Sequence, residues 1–228
     1  IAVLICLRLS VWQYQRGDQK QQQLSQLAVS KEQGVLSWQE LQNLPRELNK
    51  TGLQVKVSGE VNKQQYWLLD NQIYQGQVGY DLLVAMTIAG ETAPLIVNFG
   101  WLKAPTNRNQ LPTVVWPEST RLTATVQLKQ GNLQGFTLAD DIGAEQGWPK
   151  RIQGIDLAIF SAQLAKPLQG FIGYRNEADG IATPHYQSVV MGPDKHYAYA
   201  VQWLLIGLAC VVIAYFAMRR RGYENKPA

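Results

Sequence analysis

The chain has 228 residues, of which 46% are hydrophobic and 17% are charged, against about 25% charged in an average globular protein. Part of the chain is therefore expected to avoid water, although a mean hydropathy of -0.17 excludes a bundle of many membrane spans. The composition also excludes collagen and disordered low-complexity chains, and a net charge of +4 is too mild to indicate a nucleic-acid surface.

The first predicted element is a transmembrane helix at residues 1–12 that is truncated at its N-terminal end. Its sequence, IAVLICLRLSVW, is mostly apolar, contains Arg8 and is too short to span a bilayer alone. The apolar core of a signal peptide is the rival interpretation, but no small-residue cleavage site follows. The polar, helix-forming residues after Trp12 favour a helix that continues out of the membrane.

Residues 13–196 are predicted to form one β-rich domain outside the cytoplasm. Ser37 and Glu40 have the spacing of a capping box, which predicts a short helix to Leu44. Asp156 predicts the start of another helix that ends near Ala165. Apolar stretches, several of them alternating with polar residues, predict strands at 53–58, 65–70, 80–88, 95–101, 122–128, 168–174 and 187–191. The predicted fold class is α+β, with an antiparallel sheet or partial barrel.

The last predicted element is a second transmembrane helix at residues 197–218. It carries no charge and has aromatic residues near both ends. A helix of this length extends about 33 Å, enough for a hydrocarbon core of about 30 Å. A buried core helix is the alternative. The basic tail at 219–228 begins with three arginines, which predicts that this end faces the cytoplasm or the mitochondrial matrix.

Motifs of common enzymes are absent from the sequence, so no enzymatic activity is expected. The acidic cluster of Asp140, Asp141 and Glu145 lies in a glycine-containing stretch and is expected to be solvated. Only two histidines are present, His185 and His196, which excludes a three-histidine zinc site within one chain. Any imidazole ligand must therefore be one of these two.

The most informative residues stand where the two predicted helices leave the membrane. His196 is the last ionisable residue before the second span, and Tyr199 and Trp203 follow it on the same helical face. A neutral imidazole beside aromatic side chains can bind haem iron. Arg16 and Lys195 would then pair with the haem propionates. A solvated interfacial histidine remains the alternative.

Three motifs together resemble the Surfeit locus protein 1 family. The first follows the pattern Leu-Ser-X-Trp-Gln-X-X-Arg-X-X-X-Lys, in which the family residues are Trp12, Gln13, Arg16 and Lys20. The second is the central strand Val-Asn-Phe-Gly-Trp, with Asn98, Gly100 and Trp101. The third is the run His196-X-X-Tyr199-Ala200-X-X-Trp203. Two positions depart from the family pattern, since Ser10 stands where the family usually has glycine and Phe99 where it has arginine.

The resemblance implies a membrane-anchored assembly factor for haem-copper cytochrome c oxidase. Such a factor would assist insertion of haem a into subunit I, with His196 as the haem ligand. Subunit I and the lipid bilayer are the expected partners, and the haem a synthesis machinery is a further one; none is nucleic acid. The alternative is a haem-free scaffold or chaperone for a nascent oxidase subunit.

The expected location follows from the same resemblance and from the two predicted spans. We expect a multi-pass protein of the respiratory chain in the bacterial inner membrane, with the soluble domain in the periplasm and both termini in the cytoplasm. The mitochondrial inner membrane is the alternative location.

Overall fold

A computed structural model describes residues 1–32, 34–107, 110–131, 133, 147–178, 180–188 and 191–224. The helices are α1 (Ala2–Glu32), α2 (Trp38–Gln42), α3 (Leu157–Leu164) and α4 (Pro193–Glu224). The strands are β1 (Val35–Ser37), β2 (Gln54–Tyr74), β3 (Gln77–Ile88), β4 (Leu95–Lys103), β5 (Arg121–Gln130), β6 (Lys150–Ile152) and β7 (Phe171–Arg175). The chain forms two compact units. The helical unit comprises Ile1–Ala28 and Ser188–Ala228, and the sheet unit comprises Val29–Gln187.

The helical unit contains one helix, Pro193–Arg219, that is long and apolar enough to cross a membrane by length and composition; no other described helix meets that criterion. Only 6% of its apolar stretch is buried. This exposure is the opposite of what a soluble core helix would show. The first span predicted at residues 1–12 is helical as the start of α1 and remains a prediction as a membrane segment.

The helices α1 and α4 pack against each other in antiparallel directions through small residues. A Cβ atom added at Gly207 of α4 would lie 3.2 Å from the Cβ of Cys6 on α1. One added at Gly17 of α1 would overlap the ring of Tyr197 on α4. Cys6 meets Gly207, whereas the later residue Gly17 meets the earlier residue Tyr197. The two helices therefore run in opposite directions. Glycine at both positions allows the close approach.

In the sheet unit, the strand pairings close on themselves. The circuit runs from β2 through β3, β4, β7 and β5 and returns to β2. The 21 residues of β2 make this closure possible, because residues 54–60 pair with β5 and residues from 59 onward pair with β3. The structure is thus α+β with a mixed sheet. The antiparallel prediction is wrong for β1–β2, β2–β6 and β4–β7, which are parallel because long connections return the chain in the same direction.

The two strands predicted at 53–58 and 65–70 are one continuous strand, β2. Gly59 does not end a strand but lies inside β2, where an added Cβ would lie 2.6 Å from the Cγ of Met86 on β3. The end of the strand predicted at 65–70 is instead an irregularity in the β2–β3 register, between Leu69 and Gln72. The actual hairpin turn uses Gln75 and Gly76, with φ angles of 49° and 74°, which is the left-handed geometry that such turns require.

Both predicted helix caps are confirmed. The Oγ of Ser37 accepts from the Glu40 backbone, and the Glu40 carboxylate accepts from the Ser37 backbone at 2.7 Å. These bonds lower the pKa of Glu40. The helix is shorter than predicted, since it ends at Gln42. Asp156 caps α3 by accepting from the backbones of Ala158 and Ile159.

Two sequence predictions fall wholly or partly outside the described residues. The acidic cluster at 140–145 lies outside them entirely. Residues 189 and 190 of the strand predicted at 187–191 lie outside them too, and residues 187, 188 and 191 are not in a strand.

Strand β4 passes through the middle of the sheet unit and is buried on both faces, as its apolar sequence predicts. Val97 and Phe99 belong to the larger core cluster. Ile96 points to a second cluster under α3, where Trp67 stacks on Phe160 with ring centroids 4.4 Å apart. Aromatic pairs of this kind contribute about 0.5–1.5 kcal/mol beyond the area they bury. Asn98, the buried polar residue of β4, thus lies in the same strand as residues of both core clusters.

Candidate functional site

In the helical unit, the candidate ligand His196 lies in the first turns of α4 and is half-buried. Its Nδ1 donates to the side-chain oxygen of Gln13 on α1, at 2.8 Å. An amide oxygen can only accept a hydrogen bond, so the neutral ring carries its proton on Nδ1. The lone pair is then on Nε2, the nitrogen that the bond to Gln13 leaves open. A neutral imidazole in this form is a metal ligand.

Two further hydrogen bonds between the helices flank the pair of Gln13 and His196. Ser10 Oγ donates to the carbonyl oxygen of Ala200 at 2.8 Å. On the other side, the Tyr197 hydroxyl donates to the Asp18 carboxylate, also at 2.8 Å. The three bonds fix the axial register of α1 and α4 around the imidazole.

The other residues predicted for this site lie mainly on the exposed faces of the two helices. Trp12 and Tyr199 are exposed, and Trp203 is half-buried. Arg16 donates to Gln19 on its own helix at 2.9 Å, and its guanidinium lies 6.0 Å from the centroid of the Trp12 ring.

Lys20 likewise donates to Gln23 at 3.0 Å, and Lys195 is exposed. The structure thus joins His196 to Gln13 of the first motif. It leaves the two predicted propionate partners, Arg16 and Lys195, directed to solvent or to their own helix.

In the sheet unit, Asn98 of the central strand belongs to a buried polar network. Asn98 donates to one carboxylate oxygen of Asp81 at 2.7 Å and accepts from the Gly100 backbone at 2.8 Å. The other oxygen of Asp81 accepts from Nε2 of His185 at 2.6 Å. Asp81 and Asn98 are only 5% and 3% exposed. Because buried carboxylates are costly unless paired, this network holds the segment of His185 against the sheet.

Gly100 and Trp101 attach the same segment through the backbone. The Trp101 and Thr183 backbones exchange two hydrogen bonds, at 2.7 and 2.9 Å. Gly100 has a φ of 118°, and any Cβ there would collide with the Thr183 carbonyl group. Only glycine satisfies both constraints. The central-strand motif therefore serves to fasten residues 181–187, the last part of the sheet unit.

Comparison with known proteins agrees with these motifs. The model of the SURF1 family matches residues 1–208, a stretch that includes all three motifs. The chain belongs to the SURF1 family. This family is associated with cytochrome c oxidase assembly and with membranes. The family prediction from the sequence is confirmed. No curated protein sequence matches the chain.

The first departure from the SURF1 pattern, Ser10, adds a contact between the helices. Serine is still small enough for close packing, and its hydroxyl supplies the bond to Ala200 described above. Between membrane helices such a bond contributes about 0.6 kcal/mol on average. The serine therefore does not disrupt the helix pair.

The second departure from the SURF1 pattern, Phe99, lies next to a guanidinium from another strand. Phe99 is fully buried, and the guanidinium carbon of Arg175 on β7 lies 5.2 Å from its ring centroid. Arg175 also donates to the Ala182 carbonyl oxygen at 3.0 Å. A positive charge over an aromatic face is stabilising, more so when both are desolvated. Arg175 thus joins the network that holds residues 181–187.

Sequence reasoning missed Asp81, Arg175 and the role of His185. Each is a charged or ionisable residue within or next to an apolar stretch, and that was the available signal. The hydrogen bond to Asp81 raises the pKa of His185, although burial opposes the shift. The rings of Tyr74 and His185 also pack in a T-shaped arrangement, with centroids 5.8 Å apart.

Proposed function

We propose that this SURF1-family chain assists insertion of haem a into subunit I of haem-copper cytochrome c oxidase, and that His196 would hold the haem iron. The observation that carries the proposal is the hydrogen bond from His196 Nδ1 to Gln13, which in the neutral ring places the lone pair on Nε2. Of the two histidines, His196 is the one on the apolar helix α4. Its role is one of binding and transfer, without a catalytic step.

The surroundings of His196 suit an amphipathic ligand. Trp12 and Tyr199 expose aromatic surface on α1 and α4, which fits the apolar face of a porphyrin. Arg16 and Lys195 are exposed and carry positive charge, as propionates require. Bound haem supplies an iron centre that accepts one imidazole nitrogen. The chain supplies that nitrogen, the aromatic surface and the two cations.

The proposed topology follows from the antiparallel packing of α1 and α4. If the start of α1 enters the bilayer beside α4, both termini leave on the same side. The arginines at 219–221 favour the cytoplasmic side, which leaves the sheet unit in the periplasm of a bacterial inner membrane. The mitochondrial inner membrane would give the same arrangement toward the intermembrane space.

A comparison of the two histidines tests this function. The full chain is purified in detergent from cells that make haem a, and the haem per protein is measured by visible absorption. His196→Ala should lose haem by about tenfold or more, since the ligand nitrogen is gone. His185→Ala is the control and should keep its haem, because His185 belongs to the Asp81 network. Equal haem in wild type and His196→Ala would exclude His196 as the ligand.

A haem-free scaffold for a nascent oxidase subunit is the second candidate. It is favoured by an exposed apolar pair at the end of the β2–β3 hairpin, where Ile73 and Val78 face each other across the strands. Ile73 is 67% exposed, so the pair is available to another protein. The scaffold predicts that subunit I copurifies with the chain when haem a synthesis is blocked. It also predicts that Ile73→Thr with Val78→Thr weakens that copurification.

A further inference from the structure

We propose that Gln13 is the positioning residue for His196: its amide oxygen holds the imidazole proton on Nδ1 and turns Nε2 toward the ligand. This proposal rests on the proposed function. Gln13 and His196 are 183 positions apart in the sequence and meet only because α1 packs on α4. A metal-bound histidine commonly donates its second nitrogen to a carbonyl or carboxylate, which fixes its tautomer and orientation.

The neighbouring bonds between the helices restrict how far the amide of Gln13 can move. Ser10 binds the Ala200 backbone about one turn to one side, and Asp18 binds Tyr197 on the other. With both backbones fixed in this way, the amide and the imidazole keep their distance of 2.8 Å. The ring orientation is therefore set before any ligand arrives, which reduces the ordering cost of binding.

The chemical nature of the partner matters as well as its position. The amide of Gln13 is neutral, whereas the partner of His185 in the same chain is a carboxylate. A carboxylate stabilises the doubly protonated ring, which has no lone pair for a metal. An amide oxygen carries no net charge, and it fixes the tautomer of the neutral ring through the hydrogen bond alone. In the neutral ring, the bond to Gln13 thus places the proton on Nδ1 and the lone pair on Nε2.

The first experiment reads the tautomer in the full chain purified without haem. Two-bond ¹⁵N–¹H NMR correlations of the imidazole rings distinguish the Nδ1–H form from the Nε2–H form. Wild type should show His196 as the Nδ1–H form, and Gln13→Leu should shift the ring toward the Nε2–H form. Gln15→Leu, at an exposed position on α1, should leave it unchanged. A wild-type Nε2–H form would overturn the proposal.

The second experiment titrates haem a into the same detergent-purified proteins. Gln13→Leu should weaken haem affinity by about 10- to 100-fold, and Gln15→Leu should match wild type. Gln13→Glu should retain haem but lower its reduction potential, because a carboxylate acceptor makes the imidazole a stronger donor. A purely structural role for Gln13 would not move the potential in this direction.

The outcomes separate this proposal from the proposed function. Equal haem affinity in Gln13→Leu and wild type would overturn positioning by Gln13 while leaving His196 as ligand. Wild-type protein in the Nδ1–H form that binds no haem a would overturn the proposed function, and with it the ligand role of the bond. The predicted tautomer together with the predicted loss of affinity would support both.

Discussion

The two histidines of this chain differ in the partner that each one meets. In the sheet unit, His185 donates to a buried carboxylate that also accepts from Asn98. In the helical unit, His196 donates to the neutral amide of Gln13. Both are single hydrogen bonds between distant parts of the sequence, at 2.6 Å for His185 and 2.8 Å for His196. The charge of the acceptor is what separates their chemistry.

A carboxylate partner and an amide partner suit different tasks. The carboxylate of Asp81 raises the pKa of His185, so the pair gains stability when the ring is charged. Such a pair fastens one segment to another. The amide of Gln13 orients a ring without adding charge, which suits a ligand nitrogen. Tertiary partners, rather than residue type, therefore separate the chemistry of the two imidazoles.

The largest loss of stability is expected from a substitution at Gly100, whose backbone conformation allows the segment of His185 to pair with β4. Gly100→Ala should destabilise the sheet unit by about 3 kcal/mol, since the new Cβ has an unfavourable φ and meets Thr183. Gly90→Ala is the matched control, because its φ is 84° but nothing lies within 4 Å of its Cβ; we expect about 1–2 kcal/mol. Hydrogen exchange of the β4 amides measures both. Equal effects would exclude the Thr183 contact as a cause.

An intermediate loss of stability is expected from removing the negative charge of Asp81, the partner of His185. Asp81→Asn should cost the sheet unit about 2 kcal/mol near pH 6. The pKa of His185 is raised in the folded state, so its stabilisation is fully present below the ordinary value near 6.5 and is lost as pH rises through the folded pKa. Wild type should therefore lose stability with rising pH in that range.

Variants of three residues test whether the pair of Asp81 and His185 causes the fall in the free energy of unfolding with rising pH. Asp81→Asn and His185→Gln should both flatten it, whereas His196→Gln should leave it intact, because His196 has no carboxylate partner in this network. Hydrogen exchange of the β3 and β4 amides from pH 5.5 to 8.5 provides the measurement. A slope that persists in Asp81→Asn would contradict the assignment to this pair.

The smallest effect is expected in the helical unit. Ser10→Ala removes the hydroxyl that binds Ala200 and should weaken association of α1 with α4 by about 0.6 kcal/mol. Ser25→Ala, which removes a hydroxyl bonded only within α1, is the control. Steric trapping of the helix pair in detergent measures the difference. If the two variants behave alike, Ser10 contributes nothing between the helices.

Local patterns predicted the parts of the fold that are decided locally. The caps at Ser37 and Asp156 depend on residues at most three positions away, and the sequence identifies them correctly. The strand end predicted after residue 58 was wrong because the glycine that follows, Gly59, is required by a distant contact: Met86 on β3 leaves no room for a Cβ there. The parallel pairing of β4 with β7 was missed for the same cause, since strand direction depends on the connections between strands.

The candidate sites show the same limit. Position next to the apolar helix was enough to single out His196, and the first motif was enough to single out Gln13. Their hydrogen bond was not predictable, because it depends on the axial register of two helices at opposite ends of the chain. Asp81 and His185 are 104 positions apart, and no periodicity links them.

The closed circuit of strands has a consequence for how this protein meets others. Each of β3, β4, β5 and β7 has a hydrogen-bonded neighbour on both sides, and the short strands β1 and β6 pair along stretches of β2. Such a sheet offers little open backbone to an extended chain that would add itself as a further strand. Within the described residues, a partner protein would therefore be recognised mainly through surface side chains and loops rather than by β-augmentation.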